Sequence, residues 1–185
     1  ILARTAAPLL FASGEFLGAD KAAAVDRPAL PALRHIVRIP IAKADGTWDE
    51  FVGSGTDLAA VDARAEAVSP DDIADILFTS GTTGFPKPCR ISHGRALMAG
   101  AGFAALMFRY RPGDVLYNVL PLYHASGLML GAGSALLTGT AMAIRDGFSA
   151  RSFWSDVRRY DASAVVYIGE LCRYLVNSEP QPDER

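Results

Sequence analysis

The chain has 185 residues, and 50% of them are hydrophobic, which is the composition of a globular protein with its own core. Eighteen basic and 20 acidic residues give a formal net charge of −2 without any basic block, which excludes the electrostatic footprint of a nucleic-acid-binding protein. Cys89 and Cys172 form neither a CxxC pair nor a metal-ligand pattern, so we interpret them as reduced thiols of a cytoplasmic protein.

In the first half of the chain, short apolar runs alternate with polar or helical stretches. Apolar runs bounded by turn residues predict strands over residues 8–12, 36–39 and 73–79. Residues 15–29 predict a helix broken by Pro28, and residues 47–68 predict a surface segment with one or two helical turns. Residues 69–72 (Ser-Pro-Asp-Asp) carry the N-cap chemistry of a short helix.

The second half repeats the alternation with longer helices. Strands are predicted over residues 114–119, 141–144 and 164–168, and helices over residues 93–108, 127–137, 149–160 and 170–176. Ser92 is the expected cap of the first of these helices, and Phe153 and Trp154 are expected in the core. Strands separated by helices at this spacing predict an α/β fold with a mixed, largely parallel sheet and flanking helices.

Residues 125–144 contain no charged side chain, and their length is close to that of a membrane span. Four glycines and the sequence Thr138-Gly139-Thr140 favour a buried helix, a turn and a strand instead. Peripheral contact with a membrane stays open as an alternative.

The strongest chemical signal is a loop of glycines and hydroxyl residues between two extended segments, Thr79-Ser80-Gly81-Thr82-Thr83-Gly84-Phe85-Pro86-Lys87. Its glycines allow a ligand to approach the backbone, its N–H groups and hydroxyls can surround phosphate oxygens, and Lys87 adds a positive charge. The spacing GxxxxGK[ST] is not met, which excludes a P-loop NTPase. The alternative is a surface turn rich in Gly and Thr.

The loop resembles the phosphate-binding signature of the adenylate-forming enzymes, which include acyl-CoA synthetases, luciferases and nonribosomal peptide adenylation domains. Leu120-Pro121-Leu122-Tyr123-His124 resembles the second motif of that family. Residues 148–154 and 167–175 are similar to the branch of fatty acid transport proteins and very-long-chain acyl-CoA synthetases. The likeness is good over residues 71–182 and loose over residues 1–70, so we expect residues 1–185 to be an incomplete piece of the family's large N-terminal domain.

The resemblance implies a ligase that uses ATP to convert a long- or very-long-chain fatty acid into acyl-AMP and then, with CoA as co-substrate, into acyl-CoA. Mg²⁺ is expected to be held mainly through the phosphates and by residues outside this piece. The acidic motif that helps to hold the metal, the ribose-binding Asp and the catalytic Lys of the family have no counterpart before Arg185. No metal ligand is therefore expected in this chain, and the chain alone is expected to be inactive.

The resemblance also assigns roles to individual residues. The expected phosphate contacts are Thr79, Ser80, Gly81, Thr82, Thr83, Gly84 and Lys87. His124 is the expected catalytic residue beside the acyl carboxylate, and the expected pocket wall is Tyr123, His124, Tyr167, Ile168, Gly169 and Glu170. Taken alone, His124 could equally be a hydrogen-bonded core residue, and Glu170 could be an acid in the first turn of a helix.

Two other functions remain compatible with the sequence. The chain could be a nucleotide-binding or lipid-transport module without catalysis, or it could belong to an enzyme that adenylates another carboxylate or an amino acid. The likeness over residues 167–175 argues against amino-acid adenylation. The sequence leaves the oligomeric state and the acyl chain length undetermined.

Overall fold

The computed structural model of the chain describes residues 1–13, 20, 22–39, 47–53, 57–79, 84, 86–145 and 147–178. The chain divides into two compact units, Ile1–Ala67 and Val68–Arg185. The predicted α/β class is confirmed, because each unit combines helices with short sheets.

The first unit is built on a pair of parallel strands, β1 (Leu9–Ser13) and β2 (His35–Ile39), in which Leu9 lies opposite His35. Val37 at the centre of β2 is buried, whereas His35 at its start is exposed. The helices of this unit are α1 (Leu2–Thr5), α2 (Thr47–Val52) and α3 (Leu58–Glu66). Both predicted strands are confirmed, and the polar segment after β2 contains two short helices.

The helix predicted over residues 15–29 is wrong where the structure describes it. Residues 22–24 and 27–29 form turns, and residues 14–19 and 21 lie outside the described part of the chain. The carboxylate of Asp20 accepts a hydrogen bond from the backbone N–H of Ala23 at 2.9 Å and also binds Arg38 on β2 at 2.6 Å. Asp side chains compete in this way with helical backbone hydrogen bonds, and Pro28 removes a further donor.

The second unit begins with an antiparallel pair, β3 (Ile73–Thr79) and β4 (Lys87–Ser92). The short helix predicted over residues 69–72 is wrong, because these residues form a turn that leads directly into β3. In that turn the N–H of Asp72 donates to the carbonyl of Ser69 at 3.0 Å, and the Asp72 carboxylate accepts from the Ser69 N–H at 2.8 Å. The capping chemistry is therefore used by a turn rather than by a helix.

The helices and strands that follow agree with the predicted order. They are α4 (His93–Gly102), the π-helix π1 (Phe103–Phe108), β5 (Val115–Asn118), the π-helix π2 (Ser126–Gly133), α5 (Ser134–Thr138), β6 (Ala141–Ile144), α6 (Ala150–Arg159), β7 (Ala164–Val166) and α7 (Gly169–Val176). Ser92 caps α4 as predicted, since its hydroxyl accepts from the N–H of Arg95 at 3.4 Å. His93 is the first residue of α4.

The three parallel strands lie in the order β6-β5-β7, with Leu116 of β5 opposite Met142 and Ala164. Successive side chains of β5 point to opposite faces of the sheet. Tyr117 packs on Phe153 of α6, with ring centroids 5.7 Å apart, whereas Asn118 contacts π2 through the carbonyl of Gly127. Helices therefore cover both faces of the central strand.

Two predictions about apolar residues have different outcomes. Phe153 is buried as predicted, whereas Trp154 is exposed and rests edge-on against the Phe153 ring. Residues 125–144 form a helix, a turn at Gly139 and a strand, as predicted. Among the described residues, no helix combines the length and the apolarity that crossing a membrane would require.

Candidate functional site

The candidate site lies at the carboxyl edge of the parallel sheet, where β5 and β7 end side by side. Asn118 and Val166, the last residues of these strands, are register partners. The segment Leu120–His124 follows β5, and Tyr167–Glu170 follows β7. Parallel strands carry their carboxyl ends on one edge, so two segments that are distant in sequence meet there. The two pocket segments predicted from the sequence therefore share an edge of the sheet.

The chain leaves these two neighbouring strands towards opposite faces of the sheet. After β5 it enters π2, on the face that Asn118 occupies. After β7 it enters α7, whose Leu171 joins the core around Phe153 on the other face. In open α/β sheets, the ligand crevice lies outside the carboxyl ends of two strands whose connections leave in this way.

The turn after β5 fixes the backbone and the ring of His124. Its N–H donates to the carbonyl of Pro121 at 3.0 Å, and its own carbonyl accepts from the N–H of Leu128 at 2.9 Å. The ring nitrogen Nδ1 accepts from the N–H of Ser126 at 3.2 Å. A neutral imidazole that accepts at Nδ1 carries its proton on Nε2, and the side chain is exposed. The ring of His124 is therefore oriented by its own turn, and its role toward a ligand stays a prediction.

The other expected pocket residues are exposed around this edge. Tyr123 is 81% exposed and Tyr167 61%, and Ile168 is also exposed. Large apolar and aromatic side chains in such positions can contact an apolar substrate. Gly169 begins α7, and Glu170 lies in the first turn of that helix.

Glu170 has a partner on its own helix. Its Oε2 accepts from Nε of Arg173 at 3.1 Å, and its Oε1 binds a terminal nitrogen of the same guanidinium. These hydrogen bonds, together with one from Tyr174, lower the pKa of Glu170 below its ordinary value. The arrangement is that of a helical i,i+3 ion pair at a helix start, where a carboxylate is also favoured by the helix dipole.

The predicted phosphate loop connects β3 to β4. Thr79 and Lys87, the residues that flank it, are register partners in the antiparallel pair, and the Thr79 hydroxyl lies 3.5 Å from the Lys87 carbonyl. Gly84 has a φ of 151°, a value that side-chain-bearing residues rarely adopt, and Lys87 is exposed. Ser80, Gly81, Thr82 and Thr83 lie outside the described residues, so their expected phosphate contacts remain predictions.

The sequence interpretation missed one polar residue of this edge, Asn118. It is completely buried, and its carboxamide bonds both to the turn after β5 and to π2. A polar residue within the apolar run Leu116–Leu120 was the available signal, because buried amides require specific partners. No group of three or more His, Cys, Asp or Glu side chains suited to a metal ion occurs among the residues described.

Comparison with known proteins identifies the family and the fold of the chain. A family model described as "AMP-binding enzyme" matches residues 1–185. The chain is 50% identical over 143 residues, or 77% of its length, to the 3-[(3aS,4S,7aS)-7a-methyl-1,5-dioxo-octahydro-1H-inden-4-yl]propanoyl:CoA ligase of Mycobacterium tuberculosis (strain ATCC 25618 / H37Rv). It is 45% identical over 123 residues, or 66% of its length, to the medium/long-chain-fatty-acid–CoA ligase FadD6 of the same strain. It is 41% identical over 167 residues, or 85% of its length, to the human long-chain fatty acid transport protein 3.

These matches cover 28%, 21% and 24% of the respective relatives, so the chain spans less than a third of their length. Solved structures share the fold. ATP-bound MatB from Rhodopseudomonas palustris superposes with a TM-score of 0.73 at 22% identity, over 96% of this chain and 33% of that one. The inhibitor-bound N-terminal domain of FACL13 from Mycobacterium tuberculosis gives 0.74 at 20% identity, over 96% of this chain and 42% of that one.

Proposed function

Because this chain belongs to the AMP-binding enzyme family over residues 1–185, we propose that it is one incomplete piece of the N-terminal domain of an acyl-CoA ligase. The full-length ligase would use ATP to activate a long- or very-long-chain fatty acid as acyl-AMP and would then transfer the acyl group to CoA. The observation that carries this proposal is the position of His124. It lies just after β5, next to the carboxyl end of β7, and the hydrogen bond at its Nδ1 leaves Nε2–H as the ring donor.

We assign the binding of the ATP phosphates to the loop between β3 and β4. Its ends are joined by the pairing of Thr79 with Lys87, so the loop is held at its base. Its sequence supplies backbone N–H groups and hydroxyls as donors for a ligand. Lys87 is exposed and contributes a positive charge to the triphosphate. These donors suit an anion. Mg²⁺, held by the phosphates and by residues outside this piece, would neutralise further phosphate charge.

His124 would orient the fatty acid for the first step. Its Nε2–H can donate to one carboxylate oxygen, which leaves the other oxygen to attack the α-phosphorus of ATP while the bond to pyrophosphate breaks. In the second step the CoA thiolate attacks the acyl carbonyl and AMP leaves. Holding the reacting oxygen in position converts binding energy into rate, since misplacement by about 1 Å can cost roughly a hundredfold.

The exposed side chains of Tyr123, Tyr167 and Ile168 would contact the acyl group, and Gly169 and Glu170 complete that wall at the start of α7. The relatives differ in the acyl group that their names specify, from fatty acids to a ring-bearing propanoate. Chain-length preference is therefore best measured with a panel that contains a medium-chain, a long-chain and a very-long-chain fatty acid and a bicyclic propanoate.

The test is pyrophosphate exchange by the full-length protein with ATP, Mg²⁺ and each acid of the panel. We expect Lys87→Ala and His124→Ala to slow exchange about a hundredfold, with little change in the thermal unfolding midpoint. Arg95→Ala and His35→Ala are matched controls, since each removes an exposed side chain of the same kind to which the proposal gives no role. Unchanged exchange in Lys87→Ala would contradict the phosphate assignment. Nucleotide binding without exchange by the wild-type protein would favour the non-catalytic or transport alternative.

A further inference from the structure

We propose that Asn118 is a positioning residue that holds His124 in place for adenylation. Asn118 is the last residue of β5 and has no exposed surface. It does not reach the crevice, so its effect on a substrate is transmitted through the turn that carries His124. The inference deepens the proposed function, because it specifies what keeps the reacting groups of that same site in register.

The carboxamide of Asn118 ties together the two ends of the segment that contains His124. Its Oδ1 accepts from the N–H of Leu120 at 3.2 Å, at the beginning of the turn. Its Nδ2 donates to the carbonyl of Gly127 at 3.0 Å, in the first turn of π2. Residues 121–126 lie between these two bonds, so a single buried amide closes the loop on which His124 is carried.

Close backbone approach makes this closure rigid. A Cβ added to Gly127 would lie 2.3 Å from the carbonyl oxygen of Pro121, and a Cβ added to Gly131 would lie 2.8 Å from Nδ2 of Asn118. Side chains are excluded at these two positions, so π2 sits directly on the turn and on the amide. The turn cannot shift without moving the amide or π2.

The hydrogen bonds of His124 are made by residues next to Leu120 and Gly127, the two residues that Asn118 binds. Its N–H is bonded to the carbonyl of Pro121, the residue after Leu120. Its Nδ1 is bonded to the N–H of Ser126, the residue before Gly127. The two groups that hold the backbone and the ring of His124 are thus each one residue away from an anchor of Asn118. Loss of the amide is expected to release both groups together and to reorient Nε2–H.

Two variants remove the closure from different sides in the full-length protein. Asn118→Ala deletes these two hydrogen bonds together with the longer contact from Nδ2 to Sδ of Met142 at 3.9 Å, and Gly131→Ala pushes a methyl group into an intact carboxamide. Gly133→Ala is the matched control for the second variant, because it lies on the same π-helix and its added Cβ comes no closer than 3.4 Å to another atom. Ser134→Ala is the control for the first, because Ser134 is equally buried and its hydroxyl donates to the carbonyl of Gly131 at 2.9 Å.

We expect Asn118→Ala and Gly131→Ala to lower kcat for pyrophosphate exchange with a C16 fatty acid about tenfold to a hundredfold, with the KM for ATP unchanged. In the His124→Ala background Asn118→Ala should add little further loss, since residues that act as a unit are not additive. Ser134→Ala should lower the unfolding midpoint and leave kcat unchanged. An additive loss in the double variant, or an equal loss of kcat in Ser134→Ala, would overturn the proposal.

A second readout does not depend on turnover. In protein labelled with ¹⁵N-histidine, the signal that disappears in His124→Ala should report the Nε2–H form in the wild type and a mixture of both neutral forms in Asn118→Ala. An unchanged signal in Asn118→Ala would overturn the positioning role even if the wild type activates no acid of the panel. Failure of the proposed function and failure of this inference are therefore distinguished.

Discussion

Tyr117→Phe separates hydrogen bonding from packing at the centre of the sheet. Tyr117 is only 1% exposed, and its hydroxyl donates to Oδ2 of Asp156 on α6 at 2.8 Å. Asp156 also binds Arg145, which directly follows β6, so this cluster connects the carboxyl end of β6 to α6. The substitution keeps the ring that packs on Phe153 and removes only the hydroxyl.

The size of the effect follows from the groups that are left behind. A hydrogen bond to a charged acceptor contributes about 1.5 to 3 kcal/mol, and Asp156 keeps Arg145 as a partner. We therefore expect Tyr117→Phe to lower the free energy of unfolding by about 1.5 kcal/mol at pH 8, at the low end of that range.

The same cluster predicts a pH dependence. Burial first, and then the hydrogen bond to Asp156 and its negative charge, raise the pKa of Tyr117 to about 12 from its ordinary value of 10.0. Because the folded-state pKa is higher than the unfolded one, the neutral hydroxyl contributes its full stabilisation below pH 10. That contribution is lost as the pH rises from 10 to 12, by about 1.5 kcal/mol, since solvent screening reduces the roughly 2.7 kcal/mol that the full difference in pKa would give.

Urea unfolding followed by tryptophan fluorescence between pH 8 and pH 12 measures both effects. The advantage of the wild type over Tyr117→Phe should be present at pH 8 and should disappear towards pH 12. Tyr160→Phe is the matched control, since Tyr160 is 40% exposed and its loss of a hydroxyl should leave stability unchanged at every pH. A difference between wild type and Tyr117→Phe that stays constant from pH 8 to pH 12 would refute the reasoning.

Gly84→Ala should lower the free energy of unfolding by about 1 kcal/mol or more and slow pyrophosphate exchange, because alanine tolerates a φ of 151° poorly. The control Gly102→Ala in α4, where the added methyl group meets open space, should be neutral or stabilising. Thermal unfolding and exchange assays compare the two variants, and a neutral Gly84→Ala would contradict this prediction. Glu170→Gln should change neither stability nor exchange appreciably, because Glu170 is exposed, its carboxylate is engaged by Arg173, and glutamine keeps the shape of the proposed wall. An exchange rate lowered more than about tenfold would instead show that the charge of the carboxylate takes part in ligand binding.

The local pattern of the sequence was sufficient for most of the elements. The strands at Ile73–Thr79 and Ala141–Ile144 have the predicted bounds, because apolar runs flanked by turn residues specify extended backbone. The predicted helix over residues 15–29 failed near Asp20, whose carboxylate accepts a hydrogen bond from the backbone N–H of Ala23. The two π-helices have the composition of ordinary helices, so no residue signal distinguished them in advance.

The sequence predicted the two segments of the candidate site, but it did not predict how these segments lie relative to each other. That residues 120–124 and 169–170 follow strands can be deduced from the sequence. Tyr167 and Ile168 were predicted inside the strand over residues 164–168, but β7 ends at Val166. The pairing of β5 with β7 depends on contacts across about 50 residues of chain. Asn118 shows the same limit. Its polarity within an apolar strand is visible in the sequence, but its partner Gly127 is fixed only when π2 packs on the sheet.

In the proposed site, the residues that follow β5 and the residues that follow β7 have different roles, and the two strands are in register where they end. His124 follows β5 and is held by hydrogen bonds of its own turn, while Tyr167 and Ile168 directly follow β7. Asn118 and Val166 are register partners at the ends of these strands. The segment that carries His124 and the segment that carries Tyr167 and Ile168 therefore begin at the same level of the sheet. Under the proposed function, substitutions of Tyr167 or Ile168 are therefore expected to change which acyl group is accepted while β5 and the turn that holds His124 remain intact.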